Sequence, residues 1–257
     1  MRALALLAAV PILTLASAAS ADTLLEGRDW RRADRPMRAS PQNYAFELRL
    51  GPYQPQVDDE FSSGKTPFKD TFGDGKGFHI GFEIDWQALR IPYVGSFGPG
   101  FGLGWTRRSA TAKVAEGAHA GEDSAQSTSL LIIPMHLDGV LRVDVLSREA
   151  KIPLVPYGKL GLGFAFWRAA SDNGVSTADG EVGKGRTWGT HLALGGMLHL
   201  DPLDPSAAMG FDEELGVNNS YLFFEWQWLA LNGQFIESRP QMHVGTTGWV
   251  AGLAFEF

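Results

Sequence analysis

Two residues apart in the stretch PMHLDGVLRVD, His136 and Asp138 share one face of an alternating segment. At that spacing a carboxylate can orient an imidazole for general acid–base work. The same parity, followed along the neighbouring segments, gathers further titratable side chains on one common face. They are Glu47, Arg49, His79, Glu83, Asp85, His136, Asp138, Arg142, Asp144, Lys159, His191, His199, Glu225 and Glu256. No serine accompanies His136 and Asp138 on their face, so the pair lacks a nucleophile. Glu83, Asp85 and the histidines are chemically able to ligate a metal, but their spacing matches no recognised ligand motif. Opposed charges on one shared face read most simply as a structural ion-pair network. No catalytic, cofactor-binding or metal-binding residue is therefore assigned, and no cofactor is expected.

Glycines crowd the same face. Gly98, Gly100, Gly102 and Gly104 alternate along one segment, and Gly161 and Gly163 along another. Small residues there leave room for bulky neighbours; the functional alternative is a water-filled slot beside them. No GxxxxGK[ST] phosphate loop occurs, and Gly100 to Gly104 lacks the strand-to-helix context of a dinucleotide motif.

The elements that must carry these residues follow from the opposite parity. In GFHIGFEIDWQ, residues 77–87, Phe78, Ile80, Phe82, Ile84 and Trp86 form one face, while His79, Gly81, Glu83, Asp85 and Gln87 form the other. Eleven residues match the ~9–11 that a tilted strand needs to cross a bilayer. Eight such segments can be read: 44–51, 77–87, 97–107, 129–144, 156–168, 188–200, 219–228 and 247–257. Pro134 cannot donate a ladder hydrogen bond and suggests a bulge, but parity holds across it, so the register is not shifted. Connections after the first, third, fifth and seventh segments are long and polar (52–76, 108–128, 169–187 and 229–246), as are the external loops of bacterial barrels. The turns on the other side are shorter, except that DPSAAMGFDEELG, 204–216, reads as a short periplasmic helix with an Asp N-cap, Pro at the first position and Gly at the end.

The expected fold is all-β: an eight-stranded antiparallel transmembrane β-barrel with long external loops and one short periplasmic helix. Trp105, Trp167, Trp188, Trp226, Trp228 and Trp249 fall near the external strand ends and Trp86 near the periplasmic ends, as an interfacial girdle requires. Trp167 has lumen parity and so fits the girdle least well.

Composition agrees. Over 257 residues the net charge is −7 with a pI near 5.4, which argues against a nucleic-acid partner. There is no cysteine, hence no disulfide and no thiolate metal site. A mean hydropathy of −0.08 is what alternating strands average to. Residues 1–21 read as a signal peptide ending in Ala19-Ser20-Ala21. Residues 22–43, with Arg28, Arg31, Arg32, Arg35 and Arg38, read as a polar periplasmic lead-in to a barrel over 44–257.

The last strand, TTGWVAGLAFEF, carries Trp249, Leu253, Phe255 and Phe257 on one face. It resembles the C-terminal signature of outer-membrane proteins, which implies recognition by the barrel assembly machinery. SPQNYAFELRLGPYQPQVDDEF (40–61), IIPMHLDGVLRVDV, YGKLGLGF and LDPSAAMGFDEELGVNNSYLFFEWQ (203–227) resemble an outer-membrane β-barrel family of myxobacterial type. That resemblance implies fold and cell outer membrane location, with outer-membrane lipid or lipopolysaccharide as neighbours, and no defined activity. The expected role is structural or surface-interaction. A narrow channel or small-molecule transporter is the first alternative, an outer-membrane lipid-modifying enzyme the second, although no His-x-Ser pattern of the lipid A deacylase kind occurs. A secreted lipocalin-like barrel with the faces reversed is the third.

Overall fold

Alternation along each segment becomes a closed barrel in the computed structural model, which describes residues 43–61, 64–113, 123–171, 174–175, 177–178, 181–233 and 242–257. The signal peptide and all of the lead-in before residue 43 lie outside the described residues. Eight antiparallel strands form the wall: β1 (Tyr44–Tyr53), β2 (Gly77–Trp86), β3 (Gly95–Lys113), β4 (Asp123–Arg142), β5 (Leu154–Ser171), β6 (Lys184–His199), β7 (Asn219–Ala230) and β8 (Thr246–Glu256). Each pairs with its chain neighbour, and β8 closes onto β1.

The ladder also gives the stagger. From Ala45 the direct partners run Asp85, Gly100, Asp138, Gly161, His191, Leu229 and Thr246. Ala45 itself pairs with Glu256, so the circuit closes ten residues along the chain from Thr246. A shear of this size on eight strands implies a tilt of about 40° and a backbone radius of roughly 8 Å. Ten residues of β2 then rise about 25 Å, the height of the apolar band on outer-membrane barrels.

That band is present. Phe78, Ile80, Phe82, Ile84 and Trp86 are all exposed on β2, and Leu222, Phe224, Trp226 and Trp228 on β7. Their neighbours in the chain, such as Glu83 and Glu225, are buried on the inside. A soluble barrel would have the opposite arrangement, so the reversed-face alternative is excluded.

Several expectations need correction. β3 and β4 continue as a hairpin well beyond the apolar band, so much of the connection at 108–128 is ladder; Ser109 pairs with Ser129 and Thr111 with Ser127. Ser and Thr satisfy a solvated ladder without apolar alternation, which is why periodicity missed it. β5 and β6 likewise extend into 169–187. Pro134 makes no bulge: register is the same on both sides of it (Leu103 with Met135, Thr106 with Ile132), and the ladder is simply interrupted there. Trp167 is not in the lipid-facing girdle but packs against an inner cluster. Asp144 is not in the lumen, because β4 ends at Arg142 and Asp144 instead precedes a helical turn, Val145–Arg148, and pairs with Arg90.

On the periplasmic side a helix, Pro205–Leu215, forms as its end signals require. The Asp204 side chain accepts from the Ser206 and Ala207 amides, and Gly216 takes the left-handed conformation at φ 70°, its N–H donating to the Asp212 carbonyl and that of Val217 to the Phe211 carbonyl.

Candidate functional site in the lumen

The inward side chains stack in three layers. Nearest the external mouth is an apolar plug of Tyr53, Phe68, Leu130, Ile132, Leu229, Leu231 and Val244. Phe68 comes from a short helix, Pro67–Phe72, in the connection between β1 and β2. Asp58 accepts from the Phe68 and Lys69 amides at 2.7 and 3.0 Å and fixes the start of that helix. Arg108 donates to the Phe72 carbonyl at 2.7 Å, and the Tyr53 hydroxyl donates to the Val244 carbonyl at 2.6 Å. This connection therefore folds back into the barrel, contrary to its reading as a purely polar loop.

The middle layer holds the charges. Arg49 donates to Glu47 at 2.9 Å, to Glu83 at 2.5 Å and to Glu225. The Lys159 ammonium lies 2.7 Å from Glu47 and 2.8 Å from Glu83. Arg142 reaches Asp85 at 2.5 Å, Glu47 at 3.1 Å and Glu256 at 3.3 Å. Buried tyrosines complete the lower edge: Tyr157 donates to Glu225 at 2.8 Å and Tyr221 to Glu256 at 2.9 Å. Below them the lumen is packed by Val155, Met197, Phe223, Val250 and Ala254.

Twelve of the fourteen face residues come together here. The exceptions are Asp144 and His199; His199 sits half-buried at the periplasmic rim, 3.3 Å from Asp201 and stacked on Tyr221.

Asp138 holds two imidazoles rather than one. The Nδ1 atoms of His136 and His191 each lie 2.7 Å from Asp138 Oδ2, and the two rings are 4.2 Å apart. The pairing with His191 crosses a whole strand, since Asp138 faces Gly161 and Gly161 faces His191. That is the use of the glycines. A Cβ on Gly161 would overlap the Asp138 carboxylate and the Leu137 carbonyl, one on Gly102 would overlap the His136 ring, and one on Gly104 the His79 ring. Gly252 similarly lies between Arg49 and Phe223, below the reach of Arg49 towards Glu225. Gly102, Gly104 and Gly161 are thus gaps in the wall's inner surface that polar side chains fill, while Gly163 makes room for Leu229 and Leu231 and Gly98 for the Trp86 carbonyl, and the slot reading of strand β3 is displaced. A space of about 10 Å³ lies between Arg49, His79, His136 and Gln227, room for about one water.

Among the described residues two donor groups have the proximity for a cation: His136, Asp138 and His191, and Glu47, Glu83 and Asp85. The second is already occupied by the cationic groups of Arg49, Lys159 and Arg142. In the first, Asp138 Oδ2 is taken by two imidazole N–H donors. No hydroxyl nucleophile is hydrogen-bonded to His136 or His191 among the described residues.

No family model matches the chain, and no curated protein matches it. Among solved structures it is similar to Ail, the attachment invasion locus protein of Yersinia pestis, at 11% identity and TM-score 0.42 over 84% of this chain and 97% of that one. Neisserial surface protein A is 13% identical at TM-score 0.39, over 85% and 98% of the two chains. OprG of Pseudomonas aeruginosa is 10% identical at TM-score 0.41, over 84% and 96%. Likenesses this distant do not transfer function.

Proposed function

We propose that the chain is an integral outer-membrane barrel, closed to ions, whose role is structural or surface-interaction through its external face. The observation that carries this reading is the combination of an apolar outer belt with a filled lumen. Exposed Phe, Ile, Leu and Trp encircle the barrel, a pattern that water does not tolerate over so large a contiguous area. Inside, an apolar plug, an ion-pair layer and a second apolar layer follow one another. The arrangement argues against the channel alternative, since eight strands leave an interior that side chains fill. It also argues against a lumen active site, which would need a substrate path to His136 and Asp138.

More narrowly, we assign it to the myxobacterial type of small outer-membrane barrel on the strength of segments 40–61 and 203–227. In this reading β8 engages the assembly machinery through the aromatic face of Trp249, Leu253, Phe255 and Phe257. Purified protein should migrate differently on gels before and after boiling and give no steady conductance in a planar bilayer. Recovery from the soluble periplasm without detergent would overturn the membrane placement. Reproducible ion-selective steps that shift in Glu83→Gln would favour the channel instead.

A further inference from the structure

We propose that the outward face of β5 and β6, just beyond the apolar belt, binds the phosphate groups of an anionic glycolipid in the outer leaflet. Arg168 and Lys184 are direct ladder partners, and Arg186 lies two residues from Lys184 on the same face. All three are exposed. Among the described residues none of the three has a carboxylate partner. Like charges directly opposite across a ladder repel and destabilise it, so among the described residues the fold carries a cationic cluster with no carboxylate beside it, on a chain whose net charge is −7. Arg107 extends the cluster: it faces Leu131, which faces Arg168, and among the described residues its side chain makes a long 3.4 Å approach to Ser129.

Position selects the ligand. Along β5 the outward residues run Phe164, Phe166, Arg168, and along β6 they run Trp188, Arg186, Lys184. Phe164 stacks on Trp188 at 5.1 Å. An anion held by the cations therefore sits directly above an aromatic surface that faces hydrocarbon. A phosphorylated headgroup with acyl chains satisfies both, whereas free phosphate satisfies only the first. Cations at a membrane surface are each worth about fivefold in affinity for anionic lipid, so the three together amount to on the order of a hundredfold.

The inference rests on the membrane placement, and its test separates the two. The full chain, purified in detergent, is mixed with lipid A bearing two phosphates, with its dephosphorylated form, and with phosphatidylcholine, and the retained lipid is weighed by native mass spectrometry. Wild type should retain the bisphosphorylated lipid far above the other two. R168Q/K184Q/R186Q should lose that preference by on the order of a hundredfold while still shifting on boiling. Equal retention of all three lipids by wild type overturns the proposal, whatever the variant does. Retention abolished by inorganic phosphate at low concentration overturns the lipid assignment in favour of a free anion. Failure of the boiling shift in wild type as well as the variant overturns the membrane placement, a distinct outcome.

Discussion

Replacing Arg49 with methionine should unfold the barrel more easily than any substitution on its outer face. The guanidinium touches Glu47, Glu83 and Glu225, and only Lys159 otherwise serves all three, at 2.7, 2.8 and 3.7 Å. Methionine keeps most of the volume, so the change is one of charge: the three fully buried carboxylates then share the Lys159 ammonium, with Arg142 still reaching Glu47 and the Tyr157 hydroxyl still donating to Glu225. Removing one partner of a buried ion pair costs about 3–5 kcal/mol, because the remaining charge is neither solvated nor paired. With a urea slope of about 1–3 kcal/mol per molar, the midpoint should fall by roughly 1–5 M. The assay is urea titration in lipid vesicles, read as the fraction of unboiled protein that still runs in the folded band. Arg49→Lys should fall between wild type and Arg49→Met, since an ammonium keeps the charge but not the fork that reaches three partners. Adding Glu225→Gln to Arg49→Met should recover part of the loss. A midpoint for Arg49→Met indistinguishable from wild type would refute the claim that this network holds the lumen together.

Ile84→Arg, on the exposed face of β2, should cost about 2–4 kcal/mol near mid-bilayer in the same titration, and none if that face meets water. Gly102→Val should drive the His136 ring off Asp138, visible as loss of the shared imidazole–carboxylate signals by NMR, while Gly248→Ala, whose Cβ meets nothing within 4 Å, should leave them unchanged. Hydrogen bonds from Ser206 and Ala207 hold the Asp204 carboxyl below its ordinary range. The cap is therefore at full strength above the unfolded value near ~3.9, and it weakens as pH falls through the lower folded value. Exchange at the Ser206 and Ala207 amides should rise in that acid window and should be high at all pH in Asp204→Ala.

The strand wall was legible because lipid and lumen impose opposite demands on successive residues. A charge facing lipid is costly, so within the apolar belt each segment segregates its parities, and the eight strands form where alternation marks them. What alternation could not show lies where that demand ends. Ser109, Thr111, Ser127 and Ser129 are ladder residues in water, with no face to hide. Asp144 keeps the right parity one step after the strand has stopped. Phe68 and Phe72, four apart after Thr66-Pro67, are a short helical signal inside a polar stretch, and that spacing was the available hint that a loop plugs the mouth. The bond from Asp138 to His191 needs the register of two ladders at once, which no single segment carries.

The polar lumen also answers a problem that an apolar one would create. A strand with hydrophobic residues on both faces could slip by one residue and lose little, because lipid and an oily core would accept either set. Here a one-residue slip of β1 would turn Glu47 and Arg49 towards hydrocarbon and bring Phe46 and Leu48 against Glu83 and Lys159. The cost of that error is the full desolvation of unpaired charges, several kcal/mol for each. A slip of two residues keeps the faces but takes Arg49 away from Glu225 and from Gly252, whose bare backbone it now faces. Buried ion pairs add little net stability relative to a well-packed apolar core. Their use in this barrel is to make every register but one expensive, and the interleaved glycines narrow the choice further by fixing which side chain can cross which strand.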